Sequence, residues 1–207
     1  MKKRNLVLVL AIIAFAATFL MPQNSDSFSA SADAGQSARS SGNDVNKAPL
    51  RLPLTEPRIV VCKRKRELTL YSNDKPVRVY PVGLGFTPVG DKARQGDGCT
   101  PEGSFYVCVR NDKSHFYLSL GLSYPNKEHA ARGLRDGLIT RPQYNTIISA
   151  LQRAERPLWD TELGGEIFIH GNGSQTDWTA GCVALDDENM KILFDIIPTG
   201  TPVLIEP

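Results

Sequence analysis

The sequence predicts a mainly β domain with one or two α-helices in the last three quarters of the chain. From Arg58 onward, short segments alternate apolar and polar residues, as half-buried strands do. Clusters of turn-forming residues, such as residues 72–76, separate these segments. Only two stretches repeat apolar residues at helical spacing, so helices are expected to form the smaller part of the domain.

The strand pattern is clearest in two of the segments. Leu68 and Leu70 alternate with polar residues, and Phe105, Val107 and Val109 share one face of a later segment. The predicted strands cover, in chain order, residues 58–63, 67–72, 77–82, 103–111, 117–122, 166–170 and 202–206. The basic run between the first two strands, Lys63-Arg64-Lys65-Arg66, is interpreted as a solvated hairpin turn.

Two segments carry the helical pattern. The first begins at Arg141 and Pro142, because proline suits the first helical turn, and it ends before Pro157. The second begins near Asp186 and Asp187, whose carboxylates complement the positive end of the helix dipole. The apolar stripes of the two helices are Tyr144, Ile147, Ile148 and Leu151, then Met190, Leu193, Phe194 and Ile197.

The N-terminal part has the pattern of an export segment followed by a tether. Residues 1–22 form a basic start, an apolar run and a closing Pro22, which is typical of a signal peptide or signal anchor. The apolar run is slightly shorter than the ~20 residues that span a bilayer, so cleavage and anchoring in the inner membrane both stay open. The Ser/Ala-rich residues 23–57 are expected to be a flexible linker. The domain of residues 58–207 is then extracytoplasmic, which means periplasmic, secreted or membrane-anchored.

Charge and cysteine usage exclude some functions. A net charge of +2 argues against a nucleic-acid partner. Three histidines without ligand spacing, and the lack of any Cys-x-x-Cys pair, argue against a metal site. Cys99 and Cys108 are expected either to form a disulfide or to be buried thiols, and the sequence leaves both possibilities open.

A candidate catalytic pair stands near the C-terminus. Cys182 would be the nucleophile, because a thiolate is strongly nucleophilic, and His170 would be its base. His170 ends a predicted strand, and Gly181 allows a close backbone approach beside the thiol. The backbone N–H groups around Ala180 and Gly181 are the candidate oxyanion donors.

Several ordered motifs resemble the L,D-transpeptidase catalytic domain. His170-Gly171 followed by Thr179-Ala180-Gly181-Cys182 is similar to the active-site signature of this family. Residues 80–85 resemble its early strand and glycine turn, and residues 98–105 resemble its Thr-Pro-x-Gly motif. Residues 201–205 fit its last strand, so the resemblance covers about residues 58–207.

The resemblance implies an L,D-transpeptidase-like β-sandwich and a two-step reaction without a metal or other cofactor. Cys182 would attack a carbonyl of diaminopimelate or a similar residue in a peptidoglycan stem peptide, and a D-amino acid would leave. The thioester would then pass to an amine acceptor or to water. A backbone carbonyl is expected to orient the second ring nitrogen of His170. The candidate substrate-binding residues are Gly171, Asn172, Trp178 and Thr179.

Two positions depart from the family pattern. Many members have a histidine at the position of Ala180 and an arginine or asparagine at the position of Ala184. Together with Asp177-Trp178-Thr179, these residues resemble a sub-branch of the family in which some relatives cleave the link between peptidoglycan and a lipoprotein. A wall-linked lipoprotein is therefore a possible partner. Two alternatives stay open, namely a hydrolase and a non-catalytic wall-binding domain.

Four other charged or titratable residues receive structural interpretations. His115 and His129 are expected to be surface or structural residues rather than members of the site. Arg132 and Arg135 are interpreted as part of a solvated loop, with contact to a substrate carboxylate as the alternative.

Overall fold

The computed structural model describes residues 45–207. Its eight strands are β1 (Arg58–Cys62), β2 (Glu67–Ser72), β3 (Lys75–Pro81), β4 (Gly103–Ser114), β5 (Tyr117–Leu122), β6 (Phe168–His170), β7 (Val183–Ala184) and β8 (Pro202–Glu206). The three longer helices are α1 (Lys127–Arg135), α2 (Arg141–Gln152) and α3 (Asp187–Ile196). The predicted signal segment and residues 23–44 of the predicted linker lie outside the described residues.

The strands form one sheet in the order β3-β2-β1-β8-β4-β5-β6-β7. The long strand β4 joins its two halves, because Gly103 to Tyr106 pair with β8 and the rest pairs with β5. Residues from both halves share one buried cluster, which includes Leu70 and Ile169. The mainly β prediction is therefore confirmed, and β4 is the strand that joins the two halves of the sheet.

Two of the three helices were predicted from the sequence. Helix α2 begins at Arg141 with the hydroxyl of Thr140 as its N-cap, and α3 begins at Asp187 as expected. Helix α1 was not predicted, so Arg132 and Arg135 lie on a helix rather than in a solvated loop. The helix has few apolar residues, so no apolar stripe marks it in the sequence. Its start is marked instead by the Asn126 side chain, which caps the helix by accepting the His129 N–H.

The described part of the predicted linker is attached to the domain. The side-chain amide of Asn46 donates to the Val79 carbonyl at 2.7 Å and accepts the Val79 N–H at 2.9 Å, which occupies part of the free edge of β3. The N–H of Thr55 donates to the hydroxyl of Ser72 at 3.0 Å. These contacts attach Asn46 and Thr55 to the domain, and the flexible linker over residues 23–57 stays a prediction.

The basic turn between β1 and β2 is only partly solvated. Arg64 and Lys65 are exposed, as predicted, but Lys63 is buried and its ammonium lies 2.7 Å from the carboxylate of Glu102. The guanidinium of Arg66 binds Asp177, with Nη2 and Oδ2 2.7 Å apart. The sequence pattern could not show this, because the two carboxylates lie far away along the chain.

The four cysteines are unpaired thiols. Cys99 Sγ donates to the Asp97 carbonyl and Cys108 Sγ to the Gly121 carbonyl, so the alternative of a Cys99–Cys108 disulfide does not hold in this structure. Among residues 45–207, no group of three or more His, Cys, Asp or Glu side chains is arranged to hold a metal ion. No helix in the same part of the chain is long and apolar enough to cross a membrane.

Candidate active site

The neighbouring strands β6 and β7 carry the candidate base and position the nucleophile. They run parallel, with Ile169 opposite Val183, so His170 ends one strand and Cys182 directly precedes the other. The Phe168 N–H donates to Cys182 Sγ at 3.4 Å, and the thiol donates to the Glu166 carbonyl at 3.6 Å. Glu166 has a left-handed φ of 52°, which explains why β6 begins two residues later than predicted.

Two cavities meet at Cys182. The first, here called the Trp159 cavity, has a volume of about 580 Å³ and is lined by Trp159, Arg156 and Ala180. The second, here called the His170 cavity, has a volume of about 400 Å³ and is lined by His170 and Phe116. Cys182 and Glu166 line both cavities. Cys182 thus lies between the two cavities.

The imidazole of His170 is fixed by a carbonyl and two aromatic rings. Its Nδ1 lies 2.7 Å from the Gly171 carbonyl oxygen, which can only accept, so Nδ1 carries the proton and Nε2 of the neutral ring has a free lone pair. The ring of Phe116 stacks on the imidazole with centroids 4.8 Å apart, and Trp178 meets it edge-on at 5.5 Å. The predicted backbone carbonyl is therefore present, and it belongs to the next residue.

Burial keeps both members of the pair neutral at rest. Desolvation raises the pKa of Cys182 to about 11, and the nearby Glu166 carboxylate acts in the same direction, against the Phe168 N–H and Lys92. Desolvation also lowers the pKa of His170, which the bond to Gly171 only partly offsets. The resting site is therefore a thiol beside a neutral imidazole, rather than a thiolate beside an imidazolium.

Thr179 shapes the turn that carries the thiol. Its hydroxyl donates to the Cys182 carbonyl at 2.8 Å and accepts the Gly181 N–H at 3.1 Å. Gly181 has a φ of 137°, and a Cβ there would lie 2.8 Å from the Cys99 carbonyl oxygen. Only glycine fits this position, because any side chain would require both strain and a clash.

The candidate oxyanion donors differ in availability. The Gly181 N–H is already bonded to Thr179, so in this arrangement it does not face the cavity. The N–H groups of Ala180 and Cys182 have no acceptor within the described part of the chain, and both residues line the Trp159 cavity. An oxyanion role for Ala180 stays a prediction, and Cys182 supplies the second candidate N–H.

The four predicted substrate-binding residues mostly have structural contacts. The Gly171 N–H donates to the carbonyls of Phe116 and Leu118, and Thr179 holds the nucleophile turn. The Asn172 side chain is exposed outside both cavities. Trp178 packs on His170 and donates its indole N–H to the Gly173 carbonyl at 3.1 Å. None of the four lines either cavity, and their contact with substrate stays a prediction.

The acidic start of α3 anchors the loop after His170. Asp187 Oδ1 accepts the Asn172 N–H at 2.7 Å, and Asp186 Oδ1 accepts both the N–H and the hydroxyl of Ser174 at 3.0 Å. The same oxygen of Asp187 would lie 2.4 Å from a Cβ at Gly171. These carboxylates thus fix the loop whose first carbonyl orients the imidazole.

His129 and Arg132 bind Asp91, whereas His115 lies at the His170 cavity. His129 is buried between the side-chain amide oxygen of Asn126 at 2.6 Å and the Asp91 carboxylate at 3.0 Å, which confirms its structural role. Arg132 binds the same carboxylate at 2.9 Å. Burial alone would raise the pKa of Asp91, but bonds from His129, Glu102 N–H and Arg132 hold that pKa well below its usual value. His115 is exposed and lines the His170 cavity.

Sequence reasoning missed three residues of the site. Phe116 lies in the turn between β4 and β5, and Arg156 and Trp159 lie in the irregular segment after α2. None of them belongs to a periodic pattern or to a motif that resembles the family. The one available signal was the cluster of aromatic and basic residues in a segment without helix or strand pattern.

The comparison with protein families identifies the domain. The model of the L,D-transpeptidase catalytic domain matches residues 56–205. The chain therefore belongs to the L,D-transpeptidase family, whose members act on peptidoglycan stem peptides, and the resemblance seen in the sequence is confirmed. The comparison with curated protein sequences finds no significant match.

The chain is similar to several solved structures. The helical cell shape determining protein Pgp2 from Campylobacter jejuni is 20% identical with a TM-score of 0.51, and the match covers 79% of this chain and 53% of that chain. The L,D-transpeptidase from Xylanimonas cellulosilytica is 17% identical with a TM-score of 0.46, with coverage of 81% and 69%. Bd1075 from Bdellovibrio bacteriovorus is 23% identical with a TM-score of 0.45, with coverage of 73% and 48%. This chain thus spans about half of two of these relatives.

Proposed function

We propose that the domain is a peptidoglycan-acting L,D-transpeptidase in which Cys182 forms a thioester with a stem peptide and transfers it to an amine acceptor. The observation that carries the proposal is the position of Cys182 between two cavities, one of which contains His170. A transferase needs room for an acyl donor and an acceptor on either side of its nucleophile, and this arrangement provides it.

In the first step, the Cys182 proton moves to Nε2 of His170 while the sulfur attacks the donor carbonyl. The resulting oxyanion accepts bonds from the free N–H groups of Ala180 and Cys182. The carbon–nitrogen bond then breaks, and the imidazolium protonates the leaving amine. The neutral resting pair supports this order, because thiol deprotonation then coincides with attack.

In the second step, an amine attacks the thioester, His170 accepts its proton, and the thiol is regenerated. The leaving amine and the incoming amine both exchange protons with His170, so both use the His170 cavity by microscopic reversibility. The acyl part of the donor then occupies the Trp159 cavity, which Ala180 and Cys182 line. Water in place of the amine would give hydrolysis instead.

The substrates imply a place of action and partners. Stem peptides lie outside the cytoplasm, so we propose an extracytoplasmic location, in line with the signal or anchor predicted for residues 1–22. A wall-linked lipoprotein, which could be released by the same thioester chemistry, is a second candidate substrate.

Intact-mass spectrometry of the protein with purified muropeptides tests the proposal. We expect a thioester adduct on the wild type and none on Cys182→Ala, with adduct retained by Cys62→Ala, which removes another half-buried thiol. Adding an amine acceptor should give a transfer product, and a carbapenem should acylate Cys182. Full product formation by Cys182→Ala would overturn the proposal, and products derived only from water would establish hydrolysis.

A further inference from the structure

Ala184 stands where many family members have an arginine or asparagine, and an alanine side chain cannot bind a substrate through a polar group. Ala184 is fully buried, and its backbone pairs with His170 on one side and with Gly83 on the other. Alanine has no polar group to offer a substrate, whichever way its methyl group faces. Any group that binds a substrate carboxylate must therefore come from another part of the fold.

Two basic side chains line the Trp159 cavity, and they differ in burial and in hydrogen bonding. Lys92 is buried, and its ammonium lies 2.8 Å from the Asp97 carboxylate and 3.1 Å from the Arg94 carbonyl oxygen. Arg156 is exposed and has no hydrogen bond or carboxylate partner among residues 45–207. Arg156 is thus the cation of this cavity whose N–H groups are available to a ligand.

Aromatic rings connect Arg156 to the nucleophile. Its guanidinium lies over the Trp159 ring at 4.9 Å from the centroid, and Trp159 packs edge-on against Phe168 at 5.5 Å. The Phe168 N–H is the group that donates to Cys182 Sγ. Gly165 allows this packing, because a Cβ there would lie 2.2 Å from Trp159 Cβ. A guanidinium that stacks on a ring keeps its N–H edge free for a carboxylate.

The other charged side chains of the Trp159 cavity would disfavour binding of an anionic donor if Arg156 were absent. Asp160 and Glu166 also line the Trp159 cavity, whereas Lys92 is neutralised by Asp97. Without Arg156 the remaining unpaired charges would both be negative, and they would repel a carboxylate. The cavity is therefore suited to an anionic donor only while the guanidinium is present.

We propose that Arg156 binds a carboxylate of the acyl donor and so takes the role that the family pattern assigns to the position of Ala184. This inference rests on the proposed function, because it concerns the donor of that reaction. The ligand is a free carboxylate of the residue whose carbonyl Cys182 attacks, such as the carboxylate at the far end of the diaminopimelate side chain.

Paired donors test this role. The rate of Cys182 acylation is measured by intact mass with a stem tetrapeptide whose diaminopimelate carries either a free carboxylate or a carboxamide. We expect the wild type to prefer the carboxylate by about 10- to 100-fold in kcat/KM, which is the effect of one charge-assisted hydrogen-bonded pair. Arg156→Ala should lose the preference, and Arg156→Lys should keep only part of it because lysine lacks the planar fork.

Arg153→Ala is the matched control. Arg153 lies three residues earlier, is exposed and binds Glu155 at 2.8 Å outside both cavities, so this variant should keep the wild-type preference. If Arg156→Ala keeps the carboxylate preference, the proposed role of Arg156 is overturned, but the proposed function is not. Absence of any Cys182 adduct on the wild type with either donor would overturn the proposed function, and this role with it.

Discussion

The phenyl ring of Phe116 stacks on the imidazole of His170, with ring centroids 4.8 Å apart and an angle of 27° between the planes. Phe116 lies at the tip of the β4–β5 hairpin and is 42% exposed, so its ring covers one face of the imidazole from the solvent side. The Phe116 carbonyl also accepts the Gly171 N–H at 3.1 Å. Phe116 thus holds both the imidazole of His170 and Gly171, whose carbonyl orients that imidazole.

Phe116→Ala should shift the acid limb of the activity profile to higher pH. Desolvation lowers the pKa of His170, and removal of the ring exposes the imidazole, so its pKa should rise. The base must be neutral, so activity is lost as the pH falls through this pKa, and the loss should begin at a higher pH in the variant. The dependence of kcat/KM on pH measures the shift.

The control for this prediction is Tyr71→Ala, which removes a ring that stacks with Arg58 on a distant strand. Its acid limb should coincide with that of the wild type. An unchanged acid limb in Phe116→Ala would show that the stack does not desolvate the imidazole.

Glu166→Gln should make the thiol more reactive toward a neutral alkylating agent. Burial is the main cause of the raised pKa of Cys182, and the negative charge of Glu166 adds to it. Loss of that charge lowers the thiol pKa, so more thiolate is present at a given pH. We expect severalfold faster labelling of Cys182 by iodoacetamide at pH 8, measured on the Cys182 peptide. Glu162→Gln, an exposed neighbour outside both cavities, should label at the wild-type rate.

Thr179→Val should slow acylation while the domain remains folded. The hydroxyl of Thr179 holds both the Cys182 carbonyl and the Gly181 N–H, and valine of similar shape removes both bonds. We expect about tenfold slower adduct formation and a loss of about 1–3 kcal/mol in the free energy of unfolding, since a buried N–H is left without an acceptor. Thr179→Ser retains the hydroxyl and should restore both values. A wild-type acylation rate in Thr179→Val would contradict this positioning role.

Asp91→Asn should destabilise the domain more at neutral pH than in acid. The pKa of Asp91 is held below its usual value in the folded state, so the carboxylate contributes stability above the unfolded pKa of about 4, and this contribution is lost as the pH falls toward the folded value. We expect a loss of about 2 kcal/mol at pH 7. The difference from the wild type should shrink at pH 3, as measured by urea unfolding.

Asp136→Asn is the control for the stability experiment. Asp136 pairs with Arg135 on the exposed end of α1 at 2.9 Å, and exposed pairs contribute little to stability. Its free energy of unfolding should stay close to that of the wild type at both pH values. Equal destabilisation of Asp91→Asn at pH 7 and pH 3 would exclude a role for the Asp91 charge.

The sequence by itself determined the class of the domain, most of its strands and the candidate pair. Alternation in residues 67–72 and helical spacing in residues 141–152 are local properties, because apolar residues must face a core whatever lies on its other side. The motif around His170 and Cys182 is also local, since the strand end and the glycine beside the thiol are encoded next to each other. Helix α1 was missed because a capping residue rather than an apolar stripe marks it.

Only the tertiary structure decided which residues surround that pair. Arg66 and Asp177 are 111 positions apart, and Phe116 reaches His170 from another hairpin, so no local pattern relates them. The fold also showed that Ala184 is fully buried and that Arg156 lines a cavity beside the thiol. Such contacts depend on how strands pair across the sheet, and this pairing is set by the packing of the whole core rather than by neighbouring residues.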